Sequence, residues 1–144
     1  MRAEGNTAIY DTLMQALYEV QDIQGKKALV LLTDGEDNKS EYDYATALEY
    51  AKRAGVSVYT IGFQIQNQEI ALKLSEFAKV SGGKSYFVKK AEELKKVYGE
   101  IETELRSQYI ITYYSHSGTK NWRAVEVKTT PNKFKVRTIA GYYP

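Results

Sequence analysis

Four side chains with oxygen ligand atoms crowd the run Asp34-Gly35-Glu36-Asp37-Asn38. That density of carboxylates and amide suits a hard divalent cation, and Mg²⁺ in particular keeps several waters and binds through only one or two carboxylates. The run follows directly on Ala28-Leu29-Val30-Leu31-Leu32-Thr33, whose apolar residues show no alternation. A strand apolar on both faces reads as a central parallel strand covered on both sides. Ligands of such sheets gather outside the carboxyl ends of the strands. Asp34 stands at such an end, directed into the crevice, with Gly35 allowing a tight turn. In a competing reading the acidic residues cap the helix that follows, where negative charge meets the positive end of its dipole. Spacing leaves both readings open.

The elements around this loop are legible from periodicity. Residues 8–24 carry Ile9, Leu13, Ala16, Leu17, Val20 and Ile23 at three- and four-residue steps, ending before Gly25, and predict an amphipathic helix. Ser40-x-x-Asp43 resembles a capping box opening a second helix that runs to Ala54. Residues 56–62 are a β-type run, 67–81 a third helix stopped by Gly82-Gly83, 84–88 a short strand, and 91–106 a fourth helix. Strands alternating with helices of this length describe β-α-β units and a parallel sheet.

The last third changes character. Residues 108–114, 122–129 and 134–138 are β-type, with turn signals at His116-Ser117-Gly118-Thr119 and Pro131-Asn132. The expected fold is therefore α/β: a partial doubly wound, Rossmann-like parallel sheet with flanking helices over residues 1–107, and a C-terminal antiparallel β extension of three strands over 108–144.

A chain of 144 residues, 43% apolar and 26% charged, can build one core without staples. With 20 Lys and Arg against 18 Asp and Glu, a nucleic-acid partner is not expected. Lys128, Lys133, Lys135 and Arg137 read as the solvated face of a strand pair. There is no cysteine, which excludes disulfides and thiolate chemistry. No apolar run is long enough for a membrane span. The first six residues lack the apolar segment of a signal peptide, so the chain reads as intracellular or as a piece of something longer. His116 is a lone loop histidine without a positioned nucleophile, and Gly62 and Gly82-Gly83 lack phosphate-loop spacing. Trp122 and the tyrosines at 109, 113, 114, 142 and 143 read as packing between the extension and its neighbours.

Leu31-Leu32-Thr33-Asp34-Gly35-Glu36-Asp37-Asn38 resembles the third metal-site segment of von Willebrand factor type A domains. Gly5-Asn6-Thr7-Ala8-Ile9-Tyr10-Asp11-Thr12-Leu13 resembles their second segment, a loop threonine before an amphipathic helix. Gly55-Val56-Ser57-Val58-Tyr59-Thr60-Ile61-Gly62-Phe63 is similar to the following strand. The closing Gln108-Tyr109-Ile110-Ile111-Thr112-Tyr113-Tyr114 and Gly141-Tyr142-Tyr143-Pro144 are similar to the tail of a bacterial branch of that family. The resemblance implies that Thr7 and Asp34 ligate a metal, directly or through water. Gly35, Glu36, Asp37 and Asn38 would support the site or touch a partner. It implies Mg²⁺, Mn²⁺ or Ca²⁺ as cofactor, a protein partner offering a carboxylate, no catalysis, and export or cell-surface placement.

The family's first metal segment, Asp-x-Ser-x-Ser, has no counterpart in this sequence. Metal affinity is therefore expected to be weak or absent. Without its usual neighbour the strand 28–33 presents an unpaired apolar edge, a liability that pairing relieves. A homo-oligomer or strand-exchanged dimer around a two-fold axis is the expected remedy. Two alternatives stand beside the binding module: a metal-dependent hydrolase using Asp34, Glu36 and Asp37, and a metal-free structural oligomerisation unit.

Overall fold

A computed structural model of the chain describes residues 7–114, 120–131, 133–134 and 136–144. The elements are α1 (Ile9–Gln21), β1 (Ala28–Thr33), α2 (Tyr44–Arg53), β2 (Ser57–Phe63), α3 (Gln68–Ser81), β3 (Ser85–Val88), α4 (Glu92–Arg106), β4 (Arg123–Ala124) and β5 (Gly141–Tyr142). β1, β2 and β3 form a parallel sheet in that order, with Leu29 opposite Val58, Leu32 opposite Ile61, and Ile61 opposite Tyr86. The expected α/β architecture is present.

The pleat sends alternate residues of β2 to opposite faces. Val56, just before the strand, and Val58 pack with Leu13 and Leu17 of α1, Ala47 and Ala51 of α2 and Phe77 of α3. On the other face Tyr59 and Ile61 pack with Val88, Val97 and Ile101. Leu13 and Leu17 are both sealed from solvent, and burying each contributes about 1.5–3 kcal/mol. That is what holds α1, and with it Thr7, against the sheet.

The most buried strand is β2, which corrects the reading of β1 as covered on both sides. β1 lies at an edge of the sheet, and Val30 and Leu32 are 38% and 45% exposed on the face that α4 shares. α4 reaches Tyr59 and Ile61 but leaves this stripe open, so apolar composition marked the strand without revealing whether anything covers it. The Lys27 carbonyl accepts from Ser57 N at 3.2 Å, which by alternation turns the main-chain groups of Ala28, Val30 and Leu32 to the free edge.

Two boundaries also differ. α1 ends at Gln21, leaving Ile23 exposed. α2 opens at Tyr44, where Asp43 itself is the N-cap, its carboxylate accepting from Thr46 N at 2.8 Å. Ser40 belongs to another helix, as described below. α3 ends as its glycines predict. Gly82 adopts a left-handed φ of 79°, and Gly83 N donates to the Ala78 carbonyl at 2.9 Å. A Cβ on Gly83 would sit 2.0 Å from the Val58 carbonyl oxygen, so only glycine lets α3 close on β2.

The expected three-stranded extension is not formed among the described residues. The ladder is two residues per strand, Arg123 opposite Tyr142 and Ala124 opposite Gly141, and residues 108–114 have no regular structure. Beyond it Val125 N still donates to the Ala140 carbonyl at 3.1 Å, but Ala140 N turns to the Val80 carbonyl at the end of α3. Instead of covering the parallel sheet, the extension closes its amino end. The Trp122 ring lies 5.0 Å from that of Tyr143, whose hydroxyl donates to Glu49. Arg53 stacks over Tyr143, and Lys52 over Trp122. Arg137 pairs with Glu104 near the end of α4 and donates to the Gly83 carbonyl. Tyr109 and Tyr114, expected to fill contacts, are instead exposed. His116 and Lys135 lie outside the described residues. Among the described residues no helix is long and apolar enough to cross a membrane.

Candidate functional site at the carboxyl end of β1

α1 begins without a cap of its own, because its N-cap is Ala8. The loop after β1 supplies what is missing. Tyr10 N donates to Asp37 Oδ2 at 2.9 Å, and the Tyr10 and Asp11 amides both reach Ser40 Oγ at 3.1 Å. Ser40 Oγ in turn donates to Asp37 Oδ2 at 2.5 Å, and Ser40 N to Asp37 Oδ1 at 3.1 Å. The exchange is reciprocal: Asp11 accepts from Glu41 N at 2.9 Å and Tyr42 N at 3.1 Å. So the acidic loop does cap a helix, but it is α1, packed beside it, and not the helix that follows.

Thr7 is fixed by the same loop. Its amide donates to Asn38 Oδ1 at 2.8 Å, and Asn38 N donates back to its carbonyl at 2.9 Å. These bonds clamp the residue ahead of α1 onto the segment that Asp34 opens. Asp37 and Asn38 are thereby committed to holding the loop. Burial raises the Asp37 pKa, but hydrogen bonds from Ser40 Oγ and from the Tyr10, Ser40 and Ile9 amides outweigh it, leaving the carboxyl below its ordinary value.

Asp34 differs. It is exposed and, among the described residues, its carboxylate makes no hydrogen bond or ion pair. The turn beneath it is set by Thr33, whose Oγ1 accepts from Gly35 N and donates to the Gly35 carbonyl, both at 3.3 Å. An added Cβ at Gly35 would meet nothing within 4 Å, so the turn does not depend on a bare glycine. Glu36 is exposed beside it.

Among the described residues no three of His, Cys, Asp and Glu converge as a metal-holding group. Asp34, Glu36 and Asp37 are neighbours in sequence without forming one cluster. What the rim offers is the Thr7 hydroxyl and the Asp34 carboxylate, hard oxygen donors of the right class. Two such donors do not fit a self-sufficient Mg²⁺ site. Sequence reasoning missed Asp11 and assigned Ser40 to the helix that follows, although it caps α1. The available signal was an acidic residue in the first turn of a helix whose cap position is an alanine.

Residues 2–100 match the model of the von Willebrand factor type A domain. The chain belongs to that family. Like this von Willebrand A domain over part of its length is a UPF0353 protein of Mycolicibacterium paratuberculosis (strain ATCC BAA-968 / K-10), 31% identical over 125 residues, which cover 69% of this chain and 38% of that protein. An uncharacterized membrane spanning protein from Vibrio fischeri, of known crystal structure, is 20% identical with a TM-score of 0.49, over 68% of this chain and 56% of the other. The chain thus spans well under two thirds of either relative. Von Willebrand A domains are protein-interaction and adhesion modules and are generally not enzymes.

Proposed function

We propose that this von Willebrand A domain binds a protein partner at the carboxyl end of β1, with Asp34 and Thr7 as the residues that engage it. The observation that carries this reading is the contrast inside one loop. Asp37 and Asn38 are consumed in holding α1, while the exposed Asp34 carboxylate makes no hydrogen bond or ion pair among the described residues. Thr7 and Asp34 form part of an oxygen ligand set for Mg²⁺, Mn²⁺ or Ca²⁺, completed when a partner adds further carboxylate and hydroxyl donors. Alone, the domain binds such ions weakly.

Calorimetry with Mg²⁺ and Mn²⁺ tests this, with and without an acidic partner peptide. Asp34→Ala should abolish partner-dependent heat yet change stability by no more than about 0.5 kcal/mol, since the exposed side chain makes no hydrogen bond or ion pair among the described residues. Equal heats from wild type and variant would overturn the assignment. Turnover of a phosphate ester abolished by Asp34→Ala would instead support a hydrolase.

The free edge of β1 is the second interaction surface in this reading, and the partner there is another copy of the chain. Main-chain groups of three residues face outward beside an exposed apolar stripe, the arrangement that invites strand pairing. Val30→Lys places a charge on that stripe without breaking the β1–β2 ladder. Sedimentation should find wild type self-associated and the variant monomeric. A wild-type monomer at high concentration would count against this part of the proposal.

A further inference from the structure

Charge is unevenly divided along the chain. Residues 108–144 hold six lysines and arginines against one acid, Glu126, whereas residues 1–107 are net acidic. The basic residues Lys120, Arg123, Lys128 and Lys133 belong to the extension that closes the amino end of the sheet, the end opposite Asp34. Arg137 is spent on Glu104 and Lys128 pairs with Glu126, but Lys120 and Lys133 make no ion pair among the described residues.

The same extension exposes apolar side chains to a degree that nothing among the described residues explains. Tyr109 is 95% exposed, Ile110 75%, Ile111 70%, Tyr114 93% and Phe134 70%. Exposed single apolar residues are ordinary, but a consecutive run is not, and this one meets the basic extension where the Tyr113 ring lies 6.2 Å from that of Tyr142, the residue paired with Arg123. Its start is tethered at the base of β1, where Lys26 Nζ donates to the Gln108 carbonyl at 3.0 Å. Tyrosine has an apolar body and a polar tip, lysine extends an apolar stem below its charge, and isoleucine and phenylalanine have nothing polar to satisfy. That combination matches the boundary between lipid headgroups and acyl chains. Nucleic acid would use the rings and charges, but branched aliphatics such as Ile110 and Ile111 offer no face for base stacking.

We propose that the C-terminal extension docks the domain on an anionic lipid surface, with Ile110 and Ile111 entering the acyl boundary and Lys120 and Lys133 facing the headgroups. Asp34 then points away from the lipid, free for a protein partner. The inference rests on the extension and stands independently of the rim's metal chemistry.

Vesicle co-sedimentation tests it, using the whole chain with phosphatidylcholine alone and with phosphatidylcholine containing phosphatidylglycerol. Binding should be confined to the anionic vesicles and fall several-fold at high salt. Lys120→Glu and Lys133→Glu should each weaken it by roughly fivefold or more. The double variant Ile110→Ser, Ile111→Ser should weaken it by about tenfold or more while leaving the thermal midpoint unchanged, because both side chains are already exposed. Equal binding to neutral vesicles, or loss on charge reversal with none on the isoleucine changes, would overturn the proposal. So would binding to duplex DNA as tight as to the vesicles, since that reports charge alone.

Discussion

Phe77→Ala should cost about 3–5 kcal/mol, the range for truncating a buried phenylalanine, out of the roughly 5–15 kcal/mol that holds a domain folded. Phe77 is sealed from solvent at the centre of the core under α1, α2 and α3. Its ring lies 5.3 Å from that of Tyr44 and 6.1 Å from that of Tyr10, while Tyr10 and Tyr44 are themselves 5.9 Å apart. Each such pair adds about 0.5–1.5 kcal/mol beyond area burial. Tyr10 lies in the first turn of α1 and Tyr44 opens α2, so the aromatic triad underlies the loop that carries Asp34. Urea unfolding should give a midpoint lowered in proportion. Amide exchange at Thr7 and Asn38 should quicken before global unfolding, because their mutual hydrogen bonds depend on where α1 starts. A cost below about 1 kcal/mol would mean that the triad does not anchor the rim.

Asp37→Ala is the second large effect. It removes the acceptor for Ser40 Oγ, Ser40 N and Tyr10 N together and leaves the first turn of α1 short of partners. A helix cap is worth about 1 kcal/mol and a hydrogen bond to a charged group about 1.5–3 kcal/mol, so a loss of about 2–4 kcal/mol is expected. The pH dependence identifies the cause. The folded-state pKa of Asp37 lies below its ordinary value of 3.8, so its contribution is fully present above pH 3.8 and disappears as pH falls through the folded-state value. Wild type should lose stability over that acid window, and Asp37→Asn should lose less there while starting lower at neutral pH. Parallel stability curves for the two proteins would remove Asp37 from this role.

The local pattern of the chain determined most of the elements. Three- and four-residue spacing in residues 9–21 and 68–81 fixed two helices, because a helix can bury only a stripe of that period. Gly82 and Gly83 fixed the end of α3, since a left-handed turn and a carbonyl at 2.0 Å exclude a side chain. The order of segments from Thr7 to Phe63 marked the family, which the match over residues 2–100 establishes.

What tertiary structure decided are questions of who faces whom, which composition does not encode. Leu31 and Leu32 are equally apolar, yet only the tertiary packing reveals that Leu32 stands on an open face. Ser40 and Asp43 fit a capping box in sequence, but Ser40 caps α1, some thirty residues earlier in the chain, because packing brings that helix's unpaired amides within reach. Asp34 and Asp37 are the same residue type three positions apart, and their surroundings diverge for the same reason. A carboxylate becomes a cap or stays exposed according to the donors folded against it, and those donors come from distant parts of the chain.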